Sequence, residues 1–76
     1  MAIKIHYVDL LANKIKAEGR RISLSEVSRE TGITRKTLMA WESGTVTRFY
    51  APVLSALCKY FDCKIGDLLE YEPDPD

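Results

Sequence analysis

The chain has 76 residues, 46% hydrophobic and 29% charged, which is the make-up of one small globular domain rather than of a disordered or fibrous segment. It holds no run near the ~18–20 apolar residues of a membrane span, too few cysteines to staple a secreted miniprotein (Cys58 and Cys63, not a CxxC pair), and one histidine, His6, too few for a His-based metal site or catalysis. Eleven basic and eleven acidic residues cancel, but residues 1–50 carry a net +4 and residues 51–76 a net −4, so the basic part can attract a polyanion while the acidic part stays clear of it. A cytoplasmic chain with reduced thiols, no cofactor, no metal and no membrane contact is expected.

Ile3, Ile5 and Tyr7 alternate with Lys4 and His6, the pattern of a short strand or an ordered lead-in. From Val8 the period becomes helical. Val8, Leu11, Ala12 and Ile15 form one stripe, with Asp9 a possible N-cap and Gly19 a natural stop, so a first helix is expected over about residues 8–18. Ser23 and Glu26 read as a capping box opening a second helix, with Leu24, Val27, Ser28 and Thr31 inward and Gly32 ending it. Thr34 can cap a third helix, which turns Leu38 and Trp41 inward and stops at Ser43 and Gly44. Residues 45–51 have no helical period; within them Phe49 and Tyr50 either pack under the loop or serve a contact between copies. Pro52 suits the first turn of a fourth helix whose stripe is Val53, Leu54, Leu57, Cys58 and Phe61. Ile65, Leu68 and Leu69 make a short fifth. The acidic stretch from Glu70, with Pro73 and Pro75, is expected to fray. The expected core is Leu11, Ile15, Val27, Ile33, Leu38, Trp41, Leu54, Leu57, Phe61, Ile65, Leu68 and Leu69.

The informative segment spans residues 23–44. Two short capped helices meet at a Gly-Ile-Thr turn, where glycine permits a left-handed conformation and Ile33 with Leu38 can plug the angle. Such a helix-turn-helix projects the start of its second helix outward. Here that start carries Thr34, Arg35, Lys36 and Thr37. Arg and Lys donate to guanine O6 and N7, hydroxyls serve phosphates or base edges, and the helix N-terminus offers free N–H groups.

The stretch SLSEVSRETGITRKTLMAWESG resembles the helix-turn-helix of the phage lambda repressor and Cro type, also called xenobiotic-response-element-like. The matching features are Thr31-Gly32-Ile33-Thr34, the apolar Leu38 and Trp41, and Glu42-x-Gly44. LSALCKYFDCKIGDLL resembles that family's closing fourth and fifth helices. The resemblance covers about residues 8–70 and implies an all-α, five-helix repressor-like domain over residues 1–70, with helices 2 and 3 as the helix-turn-helix and an acidic tail over 71–76. It implies a sequence-specific double-stranded DNA-binding transcriptional regulator whose recognition helix, residues 34–42, lies in the major groove. The base-reading positions fall on Arg35, Lys36 and Met39 or Ala40, and the backbone contacts on Thr34, Thr37, Ser43 and Arg48. Leu24 stands where the family often has Gln, Ser28 where a small alanine is frequent, and the loop after Gly44 is longer than in the phage repressors.

Positive charge in the first turn opposes the helix dipole by about 0.3–1 kcal/mol per residue, so Arg35 and Lys36 together are better explained by a polyanion than as idle surface. Arg20 and Arg21 read as loop charges. The rival reading is a protein-interaction module of the same fold, antitoxin- or adaptor-like, which would turn apolar or acidic residues outward from the third helix. No Ser/His/Asp set, carboxylate pair or Gly-rich phosphate loop suggests an enzyme. A homodimer pairing through Tyr60, Ile65, Leu68 and Tyr71 would match two-fold operators.

Overall fold

In the computed structural model, which describes residues 2–73, the opening alternation forms strand β1 (Ala2–Ile5) and the helical period then takes over as α1 (Tyr7–Glu18). The inward stripe of α1 keeps Leu11 and Ile15 of the expected one but starts at Tyr7, and leaves out Val8 and Ala12. Tyr7 is fully buried and Leu11 and Ile15 pack on the core, whereas Val8 is 51% exposed and Ala12 faces solvent. Tyr7, Leu11 and Ile15 keep the i, i+4, i+8 spacing, and an aromatic ring removes more apolar area from water than a valine does. Asp9 is not the cap. It sits in the first turn, where a carboxylate complements the helix dipole, and His6 is the cap residue.

Three further helices follow: α2 (Leu24–Thr31), α3 (Arg35–Ser43) and α4 (Ala51–Phe61), with the single turn α5 (Ile65–Leu68) behind them. Ser23 caps α2 by accepting from the Glu26 N–H at 3.1 Å. The other half of the expected capping box is not made. The Glu26 carboxylate instead takes two bonds from the Arg20 guanidinium, at 2.9 and 2.7 Å, a bidentate ionic pair in place of a single bond from a backbone N–H. Pro52 falls in the first turn of α4, as its missing N–H allows.

The expectation of an all-α fold is corrected at Leu69. Leu69–Glu72, read as a helix end and a frayed tail, form strand β2, antiparallel to β1 with Ile3 opposite Tyr71 and Ile5 opposite Leu69. The architecture is mostly helical with a small two-stranded sheet. Leu-Glu-Tyr-Glu alternates apolar and acidic residues with the period of a strand. Its acids also meet bases: Lys4 Nζ lies 3.6 Å from Glu72 and His6 Nε2 lies 2.9 Å from Glu70. Residues 74–76 of the expected tail lie outside the described residues.

The core gathers Tyr7, Val27, Leu38, Trp41, Leu57 and Leu68, with Ile22 and Ile33 at its border. Leu11, Ile15, Leu54, Phe61 and Leu69 are half-buried around it. Ile65, expected inside, is 50% exposed, because a four-residue helix has one inward position and Leu68 fills it. Tyr7 and Ile22 were not expected. The Tyr7 ring meets Phe61 edge-on at 5.7 Å, clasping α1 to α4. Of the surface expected to join copies, Leu68 is core and Tyr60 is half-buried under the Lys14 ammonium, 4.7 Å from its ring centre. Ile65 and Tyr71 remain exposed.

Candidate nucleic-acid interface

The α2–α3 corner is fixed by side chains bonding to its own backbone. Gly32 takes a left-handed φ of 75°, and Ile33, 7% exposed, points back into the core. Thr31 donates to the Val27 carbonyl at 2.7 Å and accepts from the Ile33 N–H at 3.2 Å. Ser28 donates to the Ile33 carbonyl at 2.6 Å. Both backbone groups of the plug residue are therefore held. A serine at this position, where an alanine is frequent in the resembled family, has a structural use: its oxygen reaches across the turn.

Thr34 then caps α3. Its hydroxyl oxygen accepts from the Thr37 N–H at 3.3 Å and its proton goes to the Thr37 hydroxyl at 3.0 Å. That cap sets the first turn, on which Arg35 and Lys36 are both exposed. Neither makes an ion pair or side-chain hydrogen bond among the described residues, and α3 has no acid in its first turn. Two free cations at the positive end of a helix dipole leave an electrostatic cost without a local remedy. Met39, 57% exposed, follows Arg35 one turn later, and Ala40, half-buried, follows Lys36.

Ser43 is already engaged. Its hydroxyl lies 3.0 Å from the Met39 carbonyl, 3.3 Å from that of Ala40 and 3.0 Å from the Thr45 hydroxyl, closing the end of α3. The loop beyond is anchored. Phe49 packs edge-on against Trp41 at 5.8 Å and Val46 tucks against the core, which separates Phe49 from Tyr50: the first packs, the second stays 58% exposed. Between loop and helix lies an open cleft of about 320 Å³, with Lys36, Thr37, Arg48, Thr47 and Tyr50 on its walls. So Lys36, Thr37, Ala40 and Arg48 are brought together around one cleft, while Thr34, Arg35, Met39 and Ser43 lie outside it. Sequence reasoning missed Thr45, Thr47 and Tyr50 there. The alternation Thr45-Val46-Thr47 was the available signal, since a valine turned toward the core leaves both hydroxyls outward.

Arg20 faces elsewhere. Its guanidinium is held by Glu26 and, at 2.9 Å, by Glu18, and hydrogen bonding to Glu26 raises its pKa and draws the Glu26 carboxyl below the usual range. The larger groove among α1, α2 and α4, about 710 Å³, mixes Lys14, Arg20 and Lys59 with Glu18, Glu26 and Glu30, so it offers no net charge to a polyanion. Both cysteines are free thiols, and burial pushes Cys63 up to about 11. Among the described residues no helix is long and apolar enough to cross a membrane.

A family model described as the Cro/C1-type HTH DNA-binding domain matches residues 14–74. Over 76 residues, all of this chain, the sequence is 36% identical to the uncharacterized HTH-type transcriptional regulator YozG of Bacillus subtilis (strain 168), of which the match covers 83%.

Proposed function

We propose, for a chain that belongs to the Cro/C1-type helix-turn-helix DNA-binding family, that it regulates transcription by reading duplex DNA with α3 in the major groove. In this reading α2 and α3 are the helix-turn-helix pair. Arg35 and Lys36 reach base edges, Met39 and Ala40 meet thymine methyl groups, and Thr34, Thr37, Ser43 and Arg48 hold phosphates, the Thr34 and Ser43 hydroxyls by turning their protons from their intramolecular partners to the phosphate. The observation that carries it is the pair of unpartnered cations on the capped first turn of α3. A phosphate-rich duplex supplies the negative charge that this turn lacks. The action is binding in the cytoplasm, without a cofactor or a catalytic step. One α3 spans only about four or five base pairs, so two copies on half-sites about 34–36 Å apart complete the reading.

Binding of fluorescent mixed-sequence duplex at low and at physiological salt tests this proposal. Binding that weakens steeply with salt is expected, because phosphate neutralisation releases counterions. No binding at low salt would contradict it and favour the protein-interaction module instead.

A further inference from the structure

The two-stranded sheet is amphipathic and half uncovered. Alternation sets Ile3, Ile5, Leu69 and Tyr71 on one face and Lys4, Glu70 and Glu72 on the other. Ile5 and Leu69 pack against the core, but the next pair outward does not: Ile3 is 46% and Tyr71 58% exposed. Hydrophobic cross-strand partners left open side by side make a contact patch.

The edges of the sheet differ. The His6 N–H donates to the Leu68 carbonyl at 2.9 Å, one step beyond the Ile5–Leu69 pair. Hydrogen-bonded pairs alternate in an antiparallel ladder, so Lys4 and Ala2 bond inward to β2, and the N–H and C=O groups of Ile3 and Ile5 point out from the free edge of β1. An antiparallel strand added there by a copy of this chain sets Ile3 opposite the second copy's Ile3 or Ile5. The Ile3–Ile3 register is the favoured one: it sets Lys4 opposite the second copy's Ala2, whereas Ile3 opposite Ile5 would set Lys4 opposite Lys4. On the β2 edge, self-pairing sets Glu70 opposite the second copy's Glu70 or Glu72. Like charges directly opposite destabilise a sheet, and charged residues are a common way of closing an edge.

We propose that the β1 edge is a self-docking surface, pairing antiparallel with β1 of a second copy about a two-fold axis. The product is a four-stranded sheet with an apolar strip of Tyr71 and Ile3 continued by the second copy's Ile3 and Tyr71. Such an isologous contact closes after two copies, whereas β1 on a second copy's β2, although its charges match, leaves an edge free and grows without limit. The surface supplies the two-copy arrangement of the DNA reading and rests on that reading for its use, not for its formation.

Sedimentation of the full chain without DNA, from micromolar to near-millimolar protein, tests it. The wild type is expected to pass from monomer to dimer and stop. Ile3→Pro removes an outward N–H but no inward bond, a substitution that sheet edges tolerate. Ile3→Lys keeps the backbone and charges the apolar strip. Both should weaken the dimer by about tenfold or more while helical circular dichroism is unchanged, and Ile3→Lys carries the test if the proline variant unfolds. A wild type monomeric throughout, variants that dimerise like it, or a mass growing past the dimer would each overturn the proposal. A short mixed-sequence duplex, long enough for one copy, separates the two readings. If the duplex is bound while the protein stays monomeric, the self-docking surface fails alone; if a dimer forms and the duplex is not bound, the DNA reading fails alone.

Discussion

The Ser28 hydroxyl donates to the Ile33 carbonyl at 2.6 Å, tying the middle of α2 to the residue that plugs the turn before α3. Without it, that part-buried carbonyl has no donor and the corner rests on Thr31 alone. Ser28→Ala should cost about 0.5–1.5 kcal/mol, seen as a lower urea midpoint with an unchanged slope. An unchanged midpoint would mean that the corner does not depend on this bond.

Thr34 caps α3 and is also proposed to meet a phosphate. Thr34→Ala removes the acceptor for the Thr37 N–H and should cost about 1 kcal/mol, whereas Thr34→Ser keeps the oxygen and should recover most of it. Thermal melts of the two variants check this. If Ala and Ser melt alike, the cap is not what holds the first turn.

Tyr7 is fully buried and its hydroxyl has no hydrogen-bond partner among the described residues. Burial pushes its pKa up from 10.0 to about 12. The neutral phenol is thus favoured in the folded state. Between those values the unfolded chain ionises first, so stability falls as pH rises through this window and is untouched below it. Tyr7→Phe removes both the unpaired hydroxyl and this ionisation. It should melt at or above the wild type near neutrality and lose less stability at about pH 11. Tyr60, whose phenol burial also raises, leaves some alkaline loss in place. A Tyr7→Phe variant much less stable than wild type near neutrality would mean that the hydroxyl has a partner.

The helices and the α2–α3 corner were legible because their signals are local: Ser23 and Thr34 before the helices, Gly32 and Gly44 after them, and Val27, Leu38 and Trp41 at helical spacing. The sheet was not. β2 is four residues long, and its partner lies at Ala2–Ile5, so neither strand shows its pairing within a sequence window. The shift of α1 from Val8 to Tyr7 has the same origin, since two stripes fit the period and packing against Phe61 chooses between them. At the candidate site Arg35 and Lys36 could be placed from the cap alone. The cleft beside them could not, because it needs Phe49 folded onto Trp41.

Arg48 lies on the wall of that cleft opposite the helix and is proposed to hold a phosphate. Arg48→Ala should weaken binding of all duplexes alike and reduce the slope of log affinity against log salt by about one. An unchanged slope would place Arg48 off the DNA.

Arg35 and Lys36 are proposed to choose the sequence that is bound. Selection from a randomised duplex pool by the wild type, Arg35→Ala and Lys36→Ala, with affinities for the winning site measured at one fixed salt, tests this role most directly. The wild type should enrich a defined motif. Each variant should bind it more weakly by about 1–3 kcal/mol and lose preference at a base pair rather than across the whole site. Recovery of the same motif at the same affinity by both variants would contradict that role.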